Sequence, residues 1–152
     1  ELAQIMLSLA NVNKTVEEVR QHLENGQALV KFEEMVKAQG GDLEDLYRPV
    51  NVAYVVEIPA QETGVISALP AMEFGLYAMR LGAGRAVKSD ALDYETGIVF
   101  EKKVGDSVQK GEIVAKVYTN GKISPQLVTD FQKYVKINDS VQSLREIIEI
   151  IS

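Results

Sequence analysis

Val104-Gly105-Asp106-Ser107-Val108-Gln109-Lys110-Gly111-Glu112, running on into Ile113 to Tyr118, is the stretch whose reading decides the fold. Gly105 and Gly111 mark two tight turns, and the residues from Ile113 to Tyr118 read as a strand. A strand delivered by closely spaced turns points to a small β barrel or sandwich. Just upstream, Glu95-Thr96-Gly97-Ile98-Val99 echoes Glu62-Thr63-Gly64-Val65-Ile66, about 33 residues earlier. The echo predicts two related half-units rather than a long repeat array.

Between the two echoes, Met72, Leu76 and Met79 lie at helical spacing and are expected to pack in the core. Leu81-Gly82-Ala83-Gly84-Arg85 follows, where paired glycines end the helix and free the backbone. Farther upstream, Val52, Tyr54, Val56 and Ile58 alternate with a period of two, which predicts a strand closed by Pro59. Downstream, Ser124 and Pro125 open a helix whose Leu127, Val128, Phe131 and Val135 face inward. The apolar residues from Leu144 to Ile151 fit a strand and a helix equally well.

The first third of the chain follows a different period. Leu2, Ile5, Met6 and Leu9 form one apolar stripe that begins without an initiator Met or a start residue, as a cut inside a helix would. Thr15 with Glu18 makes a capping box, behind which Val16, Val19 and Leu23 share a face until Asn25-Gly26. Leu29, Phe32, Met35 and Val36 repeat the spacing in a third helix stopped by Gly40-Gly41. The polar run from Asp42 to Pro49 is the expected domain boundary. The fold class is therefore α+β, with residues 1–49 a helical segment and linker and residues 50–152 a small β domain carrying an inserted helix.

Composition narrows the function. A chain of 152 residues that is 46% hydrophobic and 25% charged is expected to fold. The net charge of −6, with lysines and arginines dispersed, argues against a nucleic-acid partner. With no cysteine there is no disulfide framework, thiolate nucleophile or thiolate metal site, and a reduced, cytoplasmic setting fits. No apolar run is long enough to span a bilayer, so no membrane association is expected.

Few residues invite a chemical role. His22, the single histidine, sits among Arg20, Gln21 and Glu24 with no second ligand or nucleophile, so it reads as a surface residue. Asp42, Glu44 and Asp45 lack the alternation and glycine of a calcium loop and read as solvated linker. Gly82-Ala83-Gly84 follows a helix, whereas a dinucleotide cradle lies between a strand and a helix N-terminus. Helix termination and contact with another domain is the favoured reading there. Arg85, with Lys88 and Asp90 close behind, either meets such a domain or is solvated or paired locally.

Three segments resemble the thymidine and pyrimidine-nucleoside phosphorylase family: Gly26-Gln27-Ala28-Leu29 through Phe32, Ala38-Gln39-Gly40-Gly41-Asp42, and Leu81-Gly82-Ala83-Gly84-Arg85. A fourth, Gly97-Ile98-Val99 through Gly105 to Glu112, is similar to the family's closing β unit. The likeness runs from Leu2 to about Tyr118 and fades beyond Thr119, with Arg145 to Ser152 only loosely similar to a terminal strand. It implies that residues 1–49 come from the end of a large α/β catalytic domain. Residues 50–152 would then be a C-terminal α+β domain of barrel-sandwich, hammerhead-like form.

The activity so implied is phosphorolysis of a pyrimidine nucleoside to free base and pentose 1-phosphate, without a cofactor. In the family, the phosphate loop, the pyrimidine-holding side chains and the metal-binding positions lie upstream of the segment matching Glu1. No catalytic, substrate-binding or metal-binding residue therefore transfers to this chain, and nucleoside and phosphate would be met only in an intact, homodimeric enzyme. What transfers is a hinged architecture, in which Leu81, Gly82, Ala83, Gly84, Arg85, Lys88 and Asp90 are candidates for a lid facing the missing helical and α/β domains. The chain by itself would be inactive.

Two other classes compete. Val-Gly-Asp-x-Val-x-x-Gly-Glu is shared with biotinyl and lipoyl carriers, but those present a lysine at a tight hairpin, whereas here a helix and Gly-Ala-Gly-Arg separate the β halves. A stand-alone interaction module would instead use the glycine loop as its partner surface.

Overall fold

The structure is a computed structural model that describes residues 1–141. The stretch from Leu144 to Ile151, with its two possible periods, and the segment from Arg145 to Ser152 lie outside the described residues. The chain divides into two compact units, Glu1–Pro49 and Val50–Ser152.

The first unit is four helices: α1 (Leu2–Leu9), α2 (Val16–Glu24), α3 (Gln27–Ala38) and α4 (Leu43–Tyr47). Local chemistry sets their ends. The Thr15 hydroxyl accepts from the Glu18 N–H at 3.1 Å while Glu18 accepts from the Thr15 N–H at 2.8 Å, a complete capping box. The Thr15 N–H, then the Lys14 ammonium and the Thr15 hydroxyl, bond to the Glu18 carboxylate and hold it below its usual range. Gly26, at φ 81°, turns the chain from α2 into α3 in the left-handed region open to glycine. Asp42 caps α4 by accepting from the Glu44 N–H at 2.9 Å, so this acidic run serves a helix start. No described side chain of this unit is buried.

The second unit holds β1 (Tyr54–Pro59), β2 (Gly64–Ala68), α5 (Ala71–Ala78), β3 (Gly97–Phe100), β4 (Ser107–Val108), β5 (Ile113–Thr119), α6 (Leu127–Gln132) and β6 (Lys136–Asn138). The strands form two antiparallel three-stranded sheets, ordered β1-β5-β3 and β4-β2-β6. Among the described residues they do not close into one barrel, because the ladders stay separate at three strands each. The two echoes open β2 at Gly64 and β3 at Gly97, in different sheets.

The predicted turn glycines act as turns. Gly105, at φ 97°, donates to the Ile66 carbonyl at 2.8 Å, and Gly111, at φ 88°, donates to the Ala60 carbonyl at 2.9 Å. At Gly64 a side chain would meet the Asn138 carbonyl oxygen at 2.7 Å, so close approach of β6 requires the bare backbone.

Both sheets and both helices feed one core. Ile58, Val114 and Val117 from the first sheet join Ile66 and Val108 from the second, with Phe74, Tyr77, Leu127 and Phe131 from the helices. Aromatic rings lock the helices together: Phe74 lies 4.7 Å from Phe131 and 5.0 Å from Phe100, and Tyr77 meets Phe131 edge-on at 5.4 Å.

The expected stripe on α5 is corrected here. Met72 is 76% exposed and Leu76 is also exposed, while Phe74 and Tyr77 are buried. The helix is apolar on nearly every side, so its period does not choose a face. The large rings have partners in Phe131 and Phe100, and their packing decides the rotation.

Candidate functional site

The loop between α5 and β3 carries every residue singled out as a candidate lid. Immediately after α5 the helix widens into a looser turn, Met79–Ala83, broken at Gly82, where φ reaches 113°. A Cβ on Gly82 would meet only the Asp93 Cβ, at an ordinary 3.6 Å, so backbone conformation and not crowding demands glycine there. At Gly84 the reason is different: a Cβ would approach the Met79 side chain within 2.9 Å and its Cα within 3.3 Å. The two glycines let the chain reverse tightly against the end of its own helix, with no strand leading into them.

Asp93 ties this reversal to the rest of the unit. Its N–H donates to the Gly82 carbonyl at 3.0 Å. Its carboxylate accepts from the Thr96 hydroxyl at 2.7 Å, the Asn120 amide at 3.0 Å and the Glu95 N–H at 3.0 Å. These bonds, the Thr96 hydroxyl first and Asn120 next, hold the Asp93 carboxyl below the usual range. Asn120 in turn accepts from the Ala53 N–H at 2.8 Å, so the base of the loop is knitted to the segment entering β1.

The crest of the loop is built by Asp90. One of its oxygens accepts from the N–H groups of Ala86 and Val87, each at 3.0 Å, and its own N–H donates to the Val87 carbonyl at 3.0 Å. Asp90 is thus committed to the backbone, and it does not pair with Arg85. Arg85 and Lys88 are exposed, with no ion pair among the described residues. The structure therefore gathers Leu81 through Asp90 into one braced loop that offers two uncommitted cations on its crest.

Two features escaped the sequence reading. Val87 and Tyr94 stand exposed on the glycine loop, Tyr94 at 88%, and give it apolar surface. An isolated aromatic immediately before Glu95-Thr96-Gly97 was the available signal. Arg80, Lys122 and Lys133 also share one cavity, a convergence that no spacing in the sequence announces.

The remaining candidates have structural roles. Nδ1 of His22 lies 2.5 Å from the Gln27 side-chain oxygen across the α2–α3 turn, and among the described residues it belongs to no metal-ligand cluster. Between β2 and β3 lie α5 and the glycine loop, where a carrier domain would present a lysine hairpin.

Comparison with known proteins matches residues 65–138 to the family described as pyrimidine nucleoside phosphorylase C-terminal domain. The chain is 40% identical over 139 residues to the pyrimidine-nucleoside phosphorylase of Bacillus subtilis, covering 87% of this chain and 32% of that protein. It is 40% identical over 152 residues to the pyrimidine-nucleoside phosphorylase of Staphylococcus haemolyticus, covering 95% and 32%, and 34% identical over 154 residues to that of Staphylococcus aureus, covering 97% and 36%. The match begins inside β2, runs through the braced glycine loop and the turns at Gly105 and Gly111, and ends with β6. A chain that spans about a third of the length of the curated relatives it matches thus belongs to the pyrimidine-nucleoside phosphorylase family and carries its C-terminal domain.

Proposed function

We propose that this chain is the closing portion of a pyrimidine-nucleoside phosphorylase, a scaffold and cover for a cleft whose reacting groups lie in the rest of the enzyme. In that reaction a phosphate oxygen bonds to the anomeric carbon as the bond to the pyrimidine nitrogen breaks, and the departing base takes a proton. Such chemistry needs bound phosphate, a group that stabilises the leaving base and a closure that keeps water away. This chain would supply the last of these.

The observation that carries the reading is the identity of 40% across most of the chain to enzymes of which it spans about a third. Residues 1–49 are then the end of the catalytic α/β domain, and their exposed apolar faces suit a body to which they would be docked. Residues 50–152 are the C-terminal α+β domain, and a core shared by both small sheets supports a barrel-sandwich arrangement. Leu81, Gly82, Ala83, Gly84, Arg85, Lys88 and Asp90 form the lid surface, with Arg85 and Lys88 as the cations facing the cleft. The intact enzyme would be a cytoplasmic homodimer acting on pyrimidine nucleoside and phosphate.

A transplant tests this. Replacing the corresponding C-terminal third of the Bacillus subtilis relative with this chain is expected to preserve release of uracil from uridine and phosphate, while the chain alone releases none. A folded chimera without activity, or uracil produced by the chain alone, would overturn the proposal.

A further inference from the structure

A second surface feature lies where the chain leaves α5, sharing Leu81 with the base of the loop. A cavity of about 390 Å³ opens between α5 and α6, within the size range of small-molecule sites. Its polar rim is basic in a chain of net charge −6: Arg80, Lys122 and Lys133 converge on it against one carboxylate, Asp130. Lys133 is already engaged, its ammonium 2.6 Å from Asp130. Arg80 and Lys122 have no ion pair among the described residues, so two cations remain uncommitted over the same space.

The floor is apolar. Tyr77, Leu81, Leu127 and Tyr134 line it. The Tyr77 hydroxyl donates to the Leu127 carbonyl at 2.9 Å, and burial, aided by the nearby Asp130 charge, pushes its pKa up to about 12. It therefore stays neutral and adds no negative charge. Ser124 contributes one more hydroxyl at the rim. Two free cations above a floor of rings suit a dianion joined to a flat apolar body, since a guanidinium and an ammonium pair well with phosphate oxygens.

We propose that this cavity binds a small phosphomonoester bearing a ring, with Arg80 and Lys122 on the phosphate and Tyr77 and Tyr134 against the ring. The assignment rests on the cavity alone and does not depend on reading the chain as part of a phosphorylase.

The test is an amide-resolved NMR titration of the full chain with three probes: phenyl phosphate, inorganic phosphate and benzyl alcohol. Phenyl phosphate is expected to give saturable shifts at Arg80, Leu81, Lys122 and Ser124, with a Kd below about 1 mM. The combined Arg80→Gln and Lys122→Gln variant should weaken it about tenfold, while Lys110→Gln, a charge loss elsewhere, should leave it unchanged. Inorganic phosphate should bind more weakly at the same residues, and benzyl alcohol should not saturate. Shifts that fail to saturate with phenyl phosphate, equal response to Lys110→Gln, or equal binding of benzyl alcohol would overturn the site. Because the substituted side chains are exposed and unpaired, unchanged dispersion of the spectrum verifies that the variant is folded.

Discussion

The helices of residues 1–49 and the helices of residues 50–141 obey the same local rules and end in opposite states. α2 has a complete capping box and a clean apolar face, yet Leu23 remains 70% exposed. α6 is only six residues long and starts without a side-chain cap, yet it buries Leu127 and Phe131 in the core. Caps and periodicity determine where a helix forms; they contribute about 1 kcal/mol each, whereas removing a large buried side chain costs several. A helix acquires a core only when another element offers a complementary face. In the second unit the two sheets provide one, and in the first unit no described side chain is sealed.

The contrast can be broken most forcefully at the aromatic cluster. Phe131→Ala is expected to destabilise the second unit by about 3–5 kcal/mol, whereas Phe32→Ala on α3 should cost under about 1 kcal/mol. Urea unfolding followed by near-ultraviolet circular dichroism reads both. Comparable losses would mean that the first unit has a core of its own and the distinction fails.

A smaller effect sharpens the difference between glycines of the second unit. Gly82→Ala should cost about 1–2 kcal/mol, because its φ of 113° disfavours any side chain. Gly75→Ala, in α5 with open space around the added methyl, should instead stabilise by about 0.5–1 kcal/mol. Thermal melts give the signs, and amide exchange at Asp93 and Thr96 should accelerate in the first variant alone. Loss of stability in both would show that helix packing, and not backbone conformation, governs this segment.

The mildest expected change lies in the first unit. Thr15→Ala removes the reciprocal cap of α2 and should cost about 1 kcal/mol, seen as faster exchange of the first α2 amides. Protection of β5 and α6 should be untouched. A matching loss of protection in β5 would join the two units into one cooperative block.

Much of this was legible in residues with local meaning. The Thr15–Glu18 box, the turns at Gly26, Gly105 and Gly111, the strand ending at Pro59 and the inward face of Leu127 and Phe131 all follow from short-range chemistry, and the structure has each. The glycine loop was legible as a helix stop, but its bracing was not. The bonds of Asp93 to Glu95 and Thr96 are local, but those that fasten the loop, to Gly82 and Asn120, form only through the fold. The face of α5 was misread for a related reason: Met72 and Leu76 have the same period as Phe74 and Tyr77, and only the shape of the neighbouring rings separates them.

By itself the amino-acid sequence determined the α+β class, the turns at Gly26, Gly105 and Gly111 and the likeness to a pyrimidine-nucleoside phosphorylase, because caps, glycines and period act over a few residues. Tertiary structure alone decided which face of α5 is buried, how Asp93 reaches Gly82 and Asn120 and that Arg80, Lys122 and Lys133 converge on one cavity. Those outcomes depend on side chains far apart in the chain competing for the same space, and no local pattern encodes the winner.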